Sequence, residues 1–465
     1  MNLTSNPFDR RRFLRASALT FGALGLGSIS PFLRSALAGG VSPGKKLLFI
    51  FLRGGMDSVG TVMPYGDAGI PGTAPTYLEA RPRLGIQPGD AYDLNGFCSL
   101  NPAMQGAGAT DPKLHEIFSG SFVPGRPARN LAVLHRVGYE NQNRSHFSSQ
   151  QFWENGTPGA TQLEEGVFNR YIGAYLDESK PMQAATVNGN QMVLMKGDVL
   201  IPVLRSISDY ALPANVRLGT LPDAGNPLGS GLKGAYGQAG FNRAIQYDPL
   251  TYGTGKALLE SLQFFQDNVL SVPYTPAPDA QPFYAAISNA GFRQSVQDCA
   301  RLLRQIEDIQ IVGCNQDGYD THGSQNQRLP PLHRDLALAF TALYLDLADI
   351  WNDVCIVTMS EFGRTTIENG NIGTDHGQAA LAFVMGGTVA GGVYDGDAAS
   401  WPNGTLVGAG GRYLLEAHDY RAMYHEVLTK HLGDPGGQIE TVLPGYGALA
   451  ANDPRGLFTS RGFIV

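Results

Sequence analysis

Six short runs of apolar, largely β-branched residues constrain the fold of this chain more than any other feature. Each run is four to seven residues long and ends at glycine or polar residues. Continuous apolar runs of this length are typical of strands buried on both faces, and hence of a mostly parallel sheet. The predicted strands are residues 46–52, 130–135, 184–187, 309–314, 354–359 and 379–385.

Segments with helical periodicity lie between these runs, at residues 145–154, 166–178, 255–269, 283–306, 332–351 and 420–432. Strands that alternate with helices predict an α/β fold, a three-layer sandwich around a mostly parallel central sheet. In such a sheet, ligands bind beyond the carboxyl ends of the strands. The segment 204–253 is rich in Gly, Pro, Asn and Asp, so we expect residues 204–306 to form a looped and helical insertion or cap.

The first 38 residues have the pattern of an export segment. They contain DRRRFLR at residues 9–15, a weakly apolar Ala/Gly-rich stretch to about residue 29, and Ala-Leu-Ala at residues 36–38. This resembles a twin-arginine signal peptide, although Asp9 stands where Ser or Thr is usual. We therefore expect the twin-arginine translocase as an export partner, a mature domain at 39–465, and a periplasmic or secreted location. The apolar stretch is too short and too weakly hydrophobic for a stable membrane span. The alternative to a cleaved signal peptide is an uncleaved membrane anchor.

Charge and cysteine usage argue against a nucleic-acid-binding protein and against a cysteine-based metal site. The segment 1–38 holds five arginines against one acidic residue, so its removal takes the formal charge from −7 to −11. A chain this acidic is not expected to bind nucleic acid. The four cysteines, at positions 98, 299, 314 and 355, are scattered without a CxxC motif. This spacing indicates neither a thiolate metal site nor a dense disulfide framework and leaves room for at most one or two disulfides.

Acidic and imidazole side chains follow or precede several of the predicted central strands. Asp57 comes after the first strand in RGGMDS, and Asp320 and His322 come after the strand 309–314 in GYDTHG. Glycines in these loops free the backbone to turn at the ends of the strands. An aspartate and a histidine two residues apart can both turn toward one ion.

The next two motifs extend this set. Glu361 follows the strand 354–359 in SEFGR, and Asp375 and His376 lie in GTDHG directly before the strand 379–385. Converging carboxylates repel unless a cation or a proton holds them together, so the set predicts a metal site. Oxygen and nitrogen ligands without thiolate suit zinc, manganese, magnesium or calcium. Asp375 could be a ligand or could orient a histidine, and Asp57 could instead cap a helix.

In this order, RGGMDS, RSHFSSQQFWENG, GYDTHG, MSEFGR and GTDHG resemble the bacterial family called domain of unknown function 1501. The resemblance covers nearly the whole mature chain. That family is similar in fold to the alkaline phosphatase and sulfatase superfamily, whose members hydrolyse phosphate or sulfate esters on a one-metal or two-metal site. The resemblance thus implies an alkaline phosphatase-like fold and an anionic small molecule or glycan ester as ligand.

The resemblance also assigns roles to residues of this chain. Asp57 matches the first acidic ligand of the superfamily, Asp320 with His322 matches its aspartate and histidine pair, and His376 matches its last histidine. Glu361 falls where an Asp-His pair normally ends a strand. Because Phe362 replaces that histidine, a second metal site would be one ligand short.

The segment that begins RSHFSS corresponds to the superfamily's nucleophile helix. Ser145 could be a metal-activated nucleophile or an ordinary helix N-cap, and His146 could be a phosphate-accepting base or a ligand. Arg364, like Arg53 and Arg144, could grip a tetrahedral oxyanion or pair with a nearby carboxylate. The chain has no Cys-x-Pro-x-Arg motif, so a formylglycine sulfatase is not expected.

Three functions compete at this point. The first is an exported metal-dependent hydrolase of phosphate or sulfate esters, in which the metal activates water if neither Ser145 nor His146 attacks. The second is a non-catalytic, metal-containing envelope protein that binds a glycan or a partner on the same fold. The third is a phosphomutase or phosphotransferase, for which His146 is the most suggestive residue.

Overall fold

The computed structural model describes residues 44–123, 130–160, 163, 165–175, 177, 180, 182–187, 189, 191–210, 261–408, 410–434 and 437–465. The predicted signal segment 1–38 lies outside the described residues. So does the part of the predicted insertion that spans residues 211–260.

A nine-stranded sheet forms the centre of an α/β fold. Its strands are β1 (Lys46–Arg53), β5 (Leu131–Gly138), β6 (Ala184–Val187), β7 (Val203–Leu204), β8 (Ile311–Asp317), β9 (Val354–Met359), β10 (Ala380–Gly386), β11 (Gly392–Tyr394) and β12 (His418–Asp419). The order is β11-β5-β10-β9-β1-β8-β6-β7, with β12 also beside β5. Only β10 runs against the other strands of this sheet in the described chain. Three two-residue strands, β2 (Val62–Met63), β3 (Tyr92–Asp93) and β4 (Ser99–Leu100), form a separate small sheet.

The helices are α1 (Ser58–Thr61), α2 (Tyr77–Ala80), α3 (Leu114–Ser119), α4 (His146–Asn155), α5 (Val167–Ala174), α6 (Gln281–Ala286), α7 (Ala290–Gln305), α8 (Gln325–Asp346), α9 (Tyr420–Glu426), α10 (Ile439–Val442) and α11 (Tyr446–Ala451). Short π-helical segments occupy Gln266–Leu270 and Val427–Gly433. All six predicted strands form, each within three residues of its predicted ends. The predicted helix 283–306 is interrupted at Ile287, and α8 begins seven residues earlier than predicted because it accommodates Pro330 and Pro331.

Alternation along β1 divides the apolar interior into two cores. Leu48, Ile50 and Leu52 face a core that includes side chains of α6, α7 and α8. Phe49 and Phe51 face the opposite core, which includes side chains of α4, α5 and α9. Side chains of a strand alternate between the two faces of its sheet, so β1 is buried on both. Helices thus cover both faces of the sheet.

The cysteines are buried in these cores. Cys314 and Cys355 lie in strands β8 and β9, as their apolar neighbours predicted, and Cys98 and Cys299 are buried as well. All four are free thiols. Among the helices of the described residues, none has the length and apolarity needed to cross a bilayer.

Four fully or almost fully buried histidines make the fold sensitive to acid. Burial lowers the pKa of His135, His333 and His431 to about 4 and that of His418 to about 3, from an ordinary value of 6.5. The unfolded chain therefore takes up protons at these sites as the pH falls below 6.5, whereas the folded chain does not until about pH 4. The free energy of unfolding is highest above pH 6.5 and falls between pH 6.5 and 4. Each histidine contributes up to about 1.4 kcal/mol per pH unit to this fall.

The variant His418→Phe tests this expectation. Neither ring nitrogen of His418 has a hydrogen-bond partner in the part of the chain that the structure describes, so an apolar ring replaces it without loss of a contact. Urea unfolding at pH 7.5 and pH 5 will show a smaller loss of unfolding free energy in the variant than in the wild type. An equal loss in both proteins would contradict the burial of a neutral imidazole at this position.

Candidate metal centre

The ends of several central strands meet at one edge of the sheet. β1 lies between β8 and β9 and is parallel to both, so the loops that follow these three strands begin side by side. β10 is antiparallel to β9, so the residues that precede β10 reach the same edge. The loops that carry Asp320, Glu361 and His376 come together for this reason.

Two glycines after β1 allow its loop to approach the other loops closely. Gly54 has φ of +116° and Gly55 has φ of +75°, in the region that favours glycine. A Cβ on Gly54 would overlap the backbone nitrogen of Asp320, and a Cβ on Gly55 would overlap the ring of Phe362. Close packing of the loops at this edge of the sheet therefore requires glycine at positions 54 and 55.

Three imidazole nitrogens surround one carboxylate oxygen. Asp320 Oδ1 lies 3.5 Å from His146 Nε2, 3.1 Å from His322 Nε2 and 3.3 Å from His376 Nε2. The Nε2 atoms of His322 and His376 are 3.0 Å apart. Ligand atoms of His146, Asp320 and His376 all lie within 4.8 Å of one another, which is close enough for one metal ion. We call these four residues the histidine cluster.

The other nitrogen of each ring is held by an acceptor. His146 Nδ1 is 2.8 Å from Glu361 Oε1, and His322 Nδ1 is 3.1 Å from Asp375 Oδ1. His376 Nδ1 is 2.8 Å from the carbonyl oxygen of Arg144. Carboxylates and carbonyls accept hydrogen bonds, so Nδ1 is the donor in each of these three contacts, and a metal at the cluster would bind the Nε2 side of the rings. Histidine ligands of metals have this arrangement in their outer shell.

Glu361 orients His146 and lies behind the cluster. Its side chain is fully buried, and Oε1 also accepts hydrogen bonds from Gly54 N and from Gln150 Nε2, each at 2.9 Å. Burial opposes ionisation of this carboxyl, but the bonds from His146 and Gln150 outweigh it and lower its pKa. The bond to Glu361 in turn raises the pKa of His146. The structure thus places the predicted ligand Glu361 against His146 Nδ1, and it places His146 Nε2 3.5 Å from Asp320 Oδ1.

Asp375 has the orienting role that the sequence left as one of two alternatives. Its Oδ1 contacts His322 and accepts a hydrogen bond from Asn369 at 3.0 Å, while Oδ2 accepts one from Arg412 at 2.8 Å. Burial raises the pKa of Asp375, but these three partners lower it more. The carboxylate is therefore charged and faces the back of the His322 ring.

Asp57 does not join the cluster. Its carboxylate forms a fully buried pair with Arg81, with nitrogen–oxygen distances of 2.5 and 2.8 Å, and also accepts a hydrogen bond from Gln325. Burial disfavours the charged form, yet Arg81 holds the pKa of Asp57 below its ordinary value. The structure thus places this predicted metal ligand in an internal ion pair, because an arginine 24 positions later in the chain occupies both of its oxygens.

Arg364 positions Asp320 and does not face solvent. Its guanidinium is buried and donates to the carbonyl oxygens of Gly54, Gly55, Tyr319 and Thr374, as well as to Asp320 Oδ1. Burial opposes the charge on Asp320, but Arg364 lowers its pKa to about 2. Of the two alternatives that the sequence offered for Arg364, the structure shows the pairing with a carboxylate. A guanidinium bonded to the protein in this way is not available to bind an oxyanion.

Phe362 fills the place of a further ligand with an apolar ring. It is fully buried, and its ring centroid lies 4.9 Å from that of His146 and 4.8 Å from that of His376. With Asp57 paired to Arg81, the described residues supply no ligand set for a second ion beside the histidine cluster.

Ser145 is the N-cap residue of α4, yet its side chain makes no capping hydrogen bond. The residue is exposed and directly precedes His146 in the chain. Arg53 pairs with Glu154 and Asn315, which is the structural alternative foreseen for it. Among the described residues, Ser145 thus lies exposed at a helix N-terminus with no capping hydrogen bond from its hydroxyl, at a place where backbone N–H groups favour an anion.

The donor set fits one divalent cation. A tetrahedral ion with ligand bonds of 2.0–2.1 Å separates its ligand atoms by about 3.3 Å. Asp320 Oδ1 lies 3.5 Å from His146 Nε2 and 3.3 Å from His376 Nε2, and these three residues are the group that can share one ion. His146 Nε2 is buried and has no hydrogen-bond partner within the described ranges, so its lone pair is uncompensated without a cation.

Comparison with known proteins gives a family match over part of the chain and a weak structural likeness. Residues 279–405 match the model of the family described as Protein of unknown function (DUF1501). No curated protein matches the chain. Among solved structures, the alkaline phosphatase from the Antarctic bacterium TAB5 is similar at 10% identity, with 77% of this chain and 96% of that chain covered and a TM-score of 0.27. A variant of the TAB5 enzyme with magnesium bound in its M3 site gives the same values.

Loss of the orienting carboxylates will weaken metal binding without removing a ligand. We expect Glu361→Gln and Asp375→Asn each to lower metal affinity by about 10- to 100-fold, the usual cost of an outer-shell partner. Competition with a chromophoric chelator measures the effect, and Glu140→Gln, at an exposed position, is the matched control. Wild-type affinity in both variants would mean that the imidazoles do not depend on these carboxylates for their orientation.

Proposed function

We propose that this chain is an exported, metal-dependent hydrolase of phosphate or sulfate esters on an alkaline phosphatase-like fold. His146, Asp320 and His376 hold one divalent cation, which is zinc, manganese, magnesium or calcium, and His322 lies beside them. The convergence of three imidazole nitrogens on Asp320 Oδ1 carries this proposal. The ester class comes from the motif resemblance, and the substrate is an anionic small molecule or a glycan ester.

Solvent access to the cluster supports catalysis over a purely structural metal. The side chains of His146 and His376 are 26% and 25% exposed, and those of His322 and Asp320 are 45% and 47% exposed. Structural metal sites are closed by their ligands, whereas catalytic sites keep a position open to a solute. An ester in solution can therefore reach this cluster.

The residues of the chain have separate tasks in this proposal. When bound, the cation supplies a Lewis acid that neutralises negative charge on the ester group. Glu361, Asp375 and the Arg144 carbonyl hold the imidazole protons on Nδ1, which keeps every Nε2 directed at the ion. Ser145 presents its free hydroxyl at the N-terminus of α4, where it can attack the ester or bind its oxygens.

Ester turnover with defined metals tests the hydrolase. The mature chain, stripped of metal and reloaded with each of the four ions, is assayed on nitrophenyl phosphate and nitrophenyl sulfate. We expect turnover that requires one of the ions and is lost in His376→Ala but retained in Glu140→Gln. Metal-loaded protein that cleaves neither ester, nor a panel of sugar phosphates and sulfates, would refute the proposal.

A non-catalytic envelope protein is the second candidate, because His322 as a fourth protein ligand would complete a tetrahedral site. In that case the metal has no free position for a solute. Cobalt-substituted protein distinguishes the two, because added inorganic phosphate will change its visible spectrum only if the ion can accept another ligand. An unchanged spectrum would favour the binding protein.

Export through the twin-arginine route is part of the proposal and rests on residues 1–38. The full chain carrying Arg10→Lys and Arg11→Lys will stay in the cytoplasm, whereas the unchanged chain will reach the periplasm with residues 1–38 removed. Equal export of both chains would refute this route.

A further inference from the structure

Two arginines share one aromatic ring beside the histidine cluster. The guanidinium carbon of Arg144 lies 4.2 Å from the ring centroid of Tyr413, and that of Arg412 lies 5.6 Å from it. Cations at these distances are attracted by the face of the ring, which holds long side chains in place. Arg144, Tyr413 and Arg412 form what we call the arginine–tyrosine rim.

The rim is directly attached to the cluster. The carbonyl oxygen of Arg144 contacts His376 Nδ1 at 2.8 Å, and Arg412 donates to Asp375, the carboxylate behind His322. Arg412 is therefore neutralised by Asp375. Arg144 is exposed, and no carboxylate pairs with it within the described residues.

The balance of charge at the site depends on Arg144. Three carboxylates, Asp320, Glu361 and Asp375, stand against Arg364 and Arg412, so a divalent cation brings the net charge to one positive unit. Arg144 adds a second positive unit. Phosphate monoesters carry nearly two negative charges above about pH 6, whereas sulfate monoesters carry one.

We propose that Arg144, held on the Tyr413 ring, makes the site selective for dianionic phosphate monoesters over monoanionic sulfate esters. This inference rests on the proposed metal-dependent function and narrows its substrate class. Arg144 is a specificity-determining residue here because its guanidinium supplies the only charge on the rim that a carboxylate of the described chain does not already balance.

Phosphate binding provides a test that does not require turnover. Calorimetry of inorganic phosphate with the zinc-loaded mature protein is compared for the wild type, Arg144→Gln, Arg144→Lys and the control Arg328→Gln, which changes an exposed arginine on α8. We expect Arg144→Gln to weaken phosphate binding about tenfold or more, as for loss of a charged hydrogen bond. Arg144→Lys will recover part of the loss, and Arg328→Gln will bind like the wild type.

Kinetics with matched esters tests the selectivity. In Arg144→Gln, the KM for nitrophenyl phosphate will rise about tenfold, while the KM for nitrophenyl sulfate will change by a much smaller factor. Equal effects on both esters, or unchanged phosphate affinity in Arg144→Gln, would overturn the role of Arg144. If the protein binds phosphate through Arg144 but cleaves no ester, the role of Arg144 in phosphate binding is supported and the hydrolase proposal is refuted. Failure of the Arg144 proposal and failure of the hydrolase proposal therefore give different results.

Discussion

Asp320→Ala will abolish metal binding by this protein. The Oδ1 atom of Asp320 lies within 3.5 Å of the Nε2 atoms of all three clustered imidazoles. Loss of an outer-shell partner alone costs 10- to 100-fold in affinity, so loss of this ligand is expected to cost more than about 100-fold. Competition with a chromophoric chelator measures the change.

Asp317→Ala is the matched control for this variant. Asp317 is an exposed acidic residue three positions earlier in the chain, at the end of β8. Its removal changes the net charge by the same amount and is expected to leave metal affinity unchanged. Equal losses in the two variants would mean that the metal responds to the overall charge, and that Asp320 is not a ligand.

Arg81→Met will destabilise the fold by about 3–5 kcal/mol, because it leaves the carboxylate of Asp57 buried without a countercharge. Both side chains of the pair are completely buried. Chemical denaturation at pH 7.5 measures the loss. Arg83→Met is the control, since Arg83 lies two residues away, pairs with Glu368 and is 45% exposed. It is expected to cost less than Arg81→Met, because Glu368 keeps its hydrogen bonds from the backbone nitrogens of residue 83 and of Leu84.

Removing both charges separates the ion pair from metal binding. The double variant with Asp57→Leu and Arg81→Met is expected to be more stable than Arg81→Met alone, because no unpaired charge remains in the core. Its metal affinity will match that of the wild type, since Asp57 lies outside the histidine cluster. Loss of metal in the double variant, with the fold intact, would restore Asp57 to the ligand set that the sequence motif implied.

The strands were predictable because their signal is local. Each central strand is a short apolar run bounded by glycine or polar residues, and burial on both faces of the sheet requires that pattern. The helix boundaries were less predictable. A proline pair is typical of a helix boundary, but Pro330 and Pro331 lie within α8.

The location of the site was also predictable from strand ends, since the loops after parallel neighbours share one edge of the sheet. The roles of its residues were less so. Nothing near Asp57 in the sequence indicates that its carboxylate will form an ion pair with Arg81, because tertiary packing brings the two residues together. The exchange of roles between Glu361 and His146 has the same origin, since the two residues are 215 positions apart and meet only in the folded chain.

The metal content of the purified mature protein tests the central claim most directly. After incubation with zinc, manganese, magnesium or calcium and removal of excess ion, elemental mass spectrometry counts the ions bound per chain. The histidine cluster predicts one ion for each chain and none in Asp320→Ala. A wild-type protein that retains no ion under any of these conditions, or one that retains two, would contradict a single metal centre built from His146, Asp320 and His376.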